Sequence, residues 1–174
     1  MRNEGNAMRS KLETIGIPTP KLISISDTDL VEEYIEGGDL YASLASGNSA
    51  EIAYSAGLLT DRLHRAGYSF VDNKAQNYLV KGSSVLRTDI GFTRKSSSLY
   101  ARSMDVGSFL ASVMDLADFA NIEMAFYNGY RSEYGHRFSA ISIIIRNVLS
   151  LGFSSNIKGT LTNMALDSRQ LFDS

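Results

Sequence analysis

Two short apolar runs, Tyr78–Val80 and Val85–Leu86, stand on either side of Lys81-Gly-Ser-Ser84. That spacing predicts a tight β-hairpin. A hairpin returns the backbone to its starting point, so the residues just outside it, Asn77 and Asp89, are expected to lie close together. An amide carbonyl beside a carboxylate supplies hard oxygen ligands suited to Mg²⁺ or Mn²⁺. Upstream, Asp72 precedes Asn77 with an Asp-x4-Asn spacing, and its carboxylate can accept a proton from an incoming hydroxyl. Metal to neutralise charge and a group to orient the nucleophile are what phosphoryl transfer requires. Read singly, these residues mean less. Asp72 and Asn77 also suit a turn after a helix, and Lys74 between them suits a solvated surface.

Around this centre the chain predicts a mixed α+β order. Residues 2–14 carry a faint helical pattern that Gly16, Pro18 and Pro20 forbid from continuing. The runs Leu22–Ile25 and Leu30–Ile35, with Asp27, Thr28 and Asp29 between them, read as a second hairpin, ended by Gly37-Gly38. Asn48 and Glu51 resemble a capping box, and Ile52, Ala56, Leu59 and Leu63 then repeat at helical spacing until Gly67. After Asp105 the pattern turns helical. A later helix with Phe138, Ile141, Ile144, Ile145 and Val148 has a wide apolar face expected to be buried, and the tail beyond Gly152 is expected to be loosely attached. No βαβ repeat occurs, which argues against a doubly wound sheet.

Composition excludes several classes. The 174 residues include no cysteine, so disulfide frameworks and thiolate metal sites are ruled out, and a reducing cytoplasm is the expected location. A formal net charge of −2 gives no electrostatic case for bulk nucleic-acid binding. No apolar run approaches a membrane span. His64 reads as a structural residue at a helix end, and His136, Arg94 and Lys95 as surface residues.

Four pieces in a fixed order resemble the protein-kinase-like superfamily, over about residues 20–115. Asp72-Asn-Lys-Ala-Gln-Asn77 resembles the catalytic loop and Asp89-Ile-Gly91 the metal-binding Asp-Phe-Gly motif. Leu30–Leu40 resembles the last strand of the N-lobe and the hinge, and Asp105 the buried aspartate of the large C-lobe helix. The short style is most similar to atypical kinases such as the RIO family and the kinase of the KEOPS complex. Leu63-His64 before the loop and, more faintly, Phe126–Gly135 share that similarity.

The resemblance implies a mostly helical C-lobe (36–174) carrying a truncated N-lobe remnant (1–35). It implies ATP and Mg²⁺ or Mn²⁺ as cofactors, Asp72 as the catalytic aspartate and Lys74 as a contact for the transferred phosphate. Asn77 and Asp89 would hold the metal. The Glu33 carbonyl and Ile35 amide would meet adenine, Asp39 would reach the ribose, and Leu79 would form the adenine floor. Asp105 would accept backbone hydrogen bonds from the loop at residues 70–72.

Several features depart from the family. A Gly-rich phosphate loop and the strand lysine are missing, so this is either an incomplete copy of a longer chain or a reduced relative, and slow as it stands. Phe70-Val71 replaces the usual His-Arg or His-Gly, and Glu32 stands at a gatekeeper-like position that is usually apolar. The expected function is therefore an ATP- and Mg²⁺-dependent kinase of the Ser/Thr type, acting on a protein or small-molecule acceptor and open to a protein partner. The alternatives are a small-molecule phosphotransferase of the aminoglycoside or choline kinase kind, and a non-catalytic pseudokinase-like binding module.

Overall fold

Helix α1 (Arg2–Thr14) ends where Gly16 takes a left-handed φ of +75°, and Pro18 and Pro20 lead the chain away extended. Placement in the computed structural model is described for residues 2–26, 28–47, 50–131 and 136–172, and side chains for 7–26, 28–47, 50–131 and 138–166. Strands β1 (Leu22–Ile25) and β2 (Leu30–Glu32) form an antiparallel hairpin, one of three separate two-stranded sheets among the described residues. This hairpin is held to α1 by Arg9, which donates to Thr19 at 3.0 Å and to the Pro20 carbonyl, and which pairs with Glu32. Leu12 and Ile17 seal the joint, both fully buried.

The remainder is mainly helical. Its helices are α2 (Leu40–Ala45), α3 (Ala50–Arg65), α4 (Leu99–Ala111), α5 (Phe119–Gly129), α6 (His136–Phe153) and α7 (Ile157–Phe172). Between α3 and α4 run β3 (Tyr68–Ser69), the hairpin β4 (Tyr78–Lys81) and β5 (Ser84–Arg87), and β6 (Arg94–Lys95), which pairs with β3. An aromatic series of Phe70, Tyr78, Phe109, Phe126, Tyr130 and Phe138 runs through the core, each ring 4.4–6.2 Å from the next. It links the loop before β4 to α4, α5 and α6 by edge and stacked contacts.

Glycine sets how closely these helices cross. A Cβ on Gly57 of α3 would lie 2.0 Å from the Phe126 carbonyl oxygen of α5, and one on Gly129 would lie 2.0 Å from the Tyr54 carbonyl oxygen. Backbone cannot yield as a side chain tip does. Gly57→Ala is therefore expected to destabilise the fold by about 1–3 kcal/mol or more, read as a lower denaturation midpoint at unchanged slope. A midpoint equal to that of the wild type would show that the two helices can separate freely.

The structure departs from the sequence expectations at several elements. Helix α2 was not legible; it starts because Asp39 accepts from the Ala42 amide at 2.8 Å, an N-cap hidden behind the Gly-Gly turn. Helix α4 begins at Leu99, capped by Ser98, so Asp105 lies within the helix rather than before it. Helix α6 buries Phe138, Ser142, Ile145, Arg146 and Ser150, whereas Ile144 and Val148 are 62% and 67% exposed. Helix α4 covers this side closely: a Cβ on Gly107 would lie 2.7 Å from an Ile145 methyl and 2.8 Å from the Ser142 carbonyl oxygen. The tail is not loose: Asn163 donates to the Met114 and Leu116 carbonyls at 2.7 and 2.9 Å, and Ser155 donates twice to Asp115.

Strand β2 also stops at Glu32, short of the expected Ile35. The proposed cap at Asn48, the turn residue Asp27, the side chain of His136, and the end of the 126–135 segment lie outside the described residues.

Candidate active site

The segment between β3 and β4 cannot be helical or extended throughout, because Val71 has φ +73°. That region is unfavourable for a β-branched residue. It is held by Asp105, whose fully buried carboxylate accepts from the Phe70 amide at 2.7 Å and the Val71 amide at 2.8 Å. The same carboxylate meets His64 Nε2 at 2.9 Å, and His64 Nδ1 meets the Tyr130 hydroxyl at 2.8 Å. These contacts match the structural roles expected for Asp105 and His64.

Asn73, fully buried, fixes the next step. Its amide nitrogen donates to the Asp105 carbonyl at 3.1 Å and the Thr60 hydroxyl at 3.3 Å, and its oxygen accepts from the Tyr78 hydroxyl at 2.6 Å. The Ala75 amide is anchored on the Ser112 hydroxyl at 2.9 Å.

On this platform Asp72 faces outward, partly exposed. Lys74 Nζ lies 2.8 Å from one carboxylate oxygen, and the Asn77 amide nitrogen donates to the other at 3.1 Å and to the Asp72 carbonyl at 2.9 Å. Partial burial raises the proton affinity of the Asp72 carboxyl, but hydrogen bonds from Lys74 and Asn77 and the charge of Arg87 outweigh it, and the net shift is downward. The group is an anion poised to accept.

The hairpin pairs Tyr78 with Arg87, and below that rung the Thr88 amide donates to the Asn77 carbonyl at 3.0 Å. Asn77 and Asp89 therefore sit at the same end of the hairpin. Asp89 is exposed, with φ +47° at the start of a short 3₁₀ turn.

The donor set suits a hard cation. Because the Asn77 nitrogen is engaged by Asp72, its side-chain oxygen remains as a hard donor at the same end of the hairpin as Asp89. Among the described residues no group of three or more His, Cys, Asp or Glu side chains could hold a metal, so further ligands would be phosphate and water oxygens.

The residues expected on the nucleotide side are brought together in part. Asp39 forms a β-bridge to Leu79, and the Val80 amide donates to the Gly38 carbonyl at 3.0 Å. Asp39 uses one carboxylate oxygen as the α2 cap. The Glu33 side chain is held by Lys81 and by the Lys21 amide, which keep its carboxyl below the ordinary range. Ile35 is buried behind this segment.

Sequence reasoning missed three participants. Arg87 lies fully buried behind Asp72. Phe153 at the end of α6 places its ring 4.9 Å from Lys74 Nζ, so α6 reaches the loop. Arg9 neutralises Glu32, the residue at the gatekeeper-like position. A lone arginine ending the apolar run Val85-Leu86 was the one available signal.

A helical lobe with an aspartate-bearing loop, a following hairpin and a second aspartate defines the class of protein-kinase-like folds. A solved structure described as WaaP in complex with acyl carrier protein superimposes with a TM-score of 0.65, over 88% of this chain and 76% of that one; at 14% identity it speaks to fold alone. The EKC/KEOPS complex subunit BUD32 of Encephalitozoon cuniculi is 32% identical over 133 residues, which are 76% of this chain and 66% of that protein. A probable serine/threonine-protein kinase BUD32 homolog of Archaeoglobus fulgidus is 27% identical over 69% of this chain and 60% of its own length. A probable bifunctional tRNA threonylcarbamoyladenosine biosynthesis protein of Methanocorpusculum labreanum is 25% identical over 66% of this chain but only 21% of its own length. No family model matches.

The chain belongs to the atypical protein-kinase-like superfamily, in its RIO/KEOPS-kinase-like branch. It spans 66% or less of the length of these curated relatives.

Proposed function

We propose that this chain is the C-lobe and hinge of an ATP- and Mg²⁺-dependent phosphotransferase that acts on a hydroxyl acceptor of the Ser/Thr type. The observation that carries it is the Asp72–Asn77 hydrogen bond at 3.1 Å, at the foot of a hairpin whose other foot leads to Asp89. Asp72 accepts the proton of the incoming hydroxyl. Lys74, held between the Asp72 carboxylate and the Phe153 ring, offers positive charge to the transferred group. Asn77 and Asp89 hold the metal, which when bound neutralises phosphate charge. Glu33, Ile35, Asp39 and Leu79 form the adenosine side.

The boundary between remnant and lobe falls near residue 35, and the protein works in the cytoplasm with a protein partner. No helix among the described residues is long and apolar enough to cross a membrane.

Titration with Mn²⁺ in the presence of ATP tests the metal site. Asp89→Ala is expected to weaken binding by at least about tenfold, since one of only two protein ligands is lost. Equal affinity would remove Asp89 from the site. If neither protein binds ATP, the binding-module reading replaces this one.

A further inference from the structure

We infer that Arg87 is a positioning residue for Asp72, a guanidinium supplied to the catalytic loop from strand β5 rather than from the loop itself. The two residues before Asp72, Phe70 and Val71, carry no charge. Behind them, Arg87 Nη2 donates to the Asp72 carbonyl at 2.7 Å, and Nη1 reaches the Asn73 side-chain oxygen at 3.4 Å. The planar fork thus spans two consecutive residues of the loop, which fixes orientation as well as distance. Its carbon lies 4.3 Å from the Phe70 ring centre and 4.9 Å from that of Tyr78, contacts that set the plane of the group.

Stability alone does not account for this cation. Arg87 is 0% exposed, its Nε has no acceptor, and among the described residues no carboxylate forms an ion pair with it. Burying such a group is costly, and an apolar chain of similar length packs there more favourably. The neighbouring strand residues, Val85 and Leu86, are apolar. What the arginine adds is a link between two halves of the site. Its backbone lies on the strand that passes through Thr88 to Asp89, and its side chain holds Asp72 from behind. One residue therefore sets the proton acceptor relative to the metal-side carboxylate.

The kinetic consequence rests on the phosphotransfer reading; the positioning does not. Arg87→Met is expected to keep a melting temperature close to that of the wild type and to leave KM for ATP within about twofold, while kcat falls on the order of 10²-fold. In the same variant, amide exchange over residues 70–74 is expected to quicken about tenfold, with α3 and α5 unchanged. Arg87→Lys keeps the charge but not the fork, and should recover part of both losses.

Unchanged exchange over residues 70–74, or a loss carried by KM alone, overturns the inference. If wild-type transfer is no faster than that of Asp72→Asn, the phosphotransfer reading fails, and exchange alone decides the positioning. If Arg87→Met does not fold, Arg87→Lys decides: exchange and kcat both equal to the wild type overturn the inference, and a partial loss in each sustains it.

Discussion

Asp105→Ala is expected to lower stability by about 3–5 kcal/mol, the usual cost of removing one member of a buried polar cluster. For a chain of this size that corresponds to a fall in melting temperature on the order of 10 °C. The carboxylate is fully buried and serves three donors: the Phe70 amide, the Val71 amide and His64 Nε2. Without it, two buried amides and a buried imidazole lose their partner at once. Val71 also loses what holds it at φ +73°. Asp105→Asn should recover only part of the loss, because its amide nitrogen would face another donor. Thermal unfolding of the three proteins measures this. An unchanged melting temperature in Asp105→Ala would show that the carboxylate does not carry the loop.

Asp72→Asn is expected to do the reverse, reducing phosphate transfer by about 10²–10⁴-fold, the range for losing a general base, with little change in melting temperature. Asp72 lies at the surface of the platform and supports no buried group through its side chain. The pH dependence follows from the same surroundings. Its folded-state proton affinity is below the ordinary value, so Asp72 stays ionised to lower pH than a free aspartate does. Its contribution to stability is accordingly present above that unfolded value and is lost as pH falls through the lower folded one. Lys74→Met removes the cation 2.8 Å away and should move the acid limb of the rate profile to higher pH. The assay is γ-phosphate transfer with Mg²⁺, carried from neutral pH to below the ordinary carboxylate range so that the acid limb is reached. An acid limb that does not move in Lys74→Met would show that Lys74 does not hold the Asp72 anion. Transfer by Asp72→Asn equal to that of the wild type would end the role of Asp72.

The hairpin after Asn77 was legible because its signals are local. Two apolar runs and a Lys-Gly-Ser-Ser turn fix the register within a few residues, and Tyr78 does pair with Arg87. The helix ending at Arg65 was legible in the same way, from period and a stop at Gly67, whose φ is +81°. Spacing placed Asp72, Asn77 and Asp89 in order, and a hairpin leaves them few ways to lie far apart.

What the sequence could not determine is which groups stand behind that front. Arg87 and Phe153 meet the loop from a separate strand and helix, and nothing local links them to it. The exposed side of α6 was misread for a related reason. Periodicity reports that a helix has an apolar stripe, but the partner's surface decides which side is covered, and the approach at Gly107 covers Ser142 and Ile145 and leaves Ile144 outside. Local pattern thus determined the hairpin and the order of the acidic residues. The resemblance already implied that Asp105 holds the loop; only the tertiary packing decided that a buried arginine holds it from another element, because that contact depends on long-range geometry rather than on neighbours in the chain.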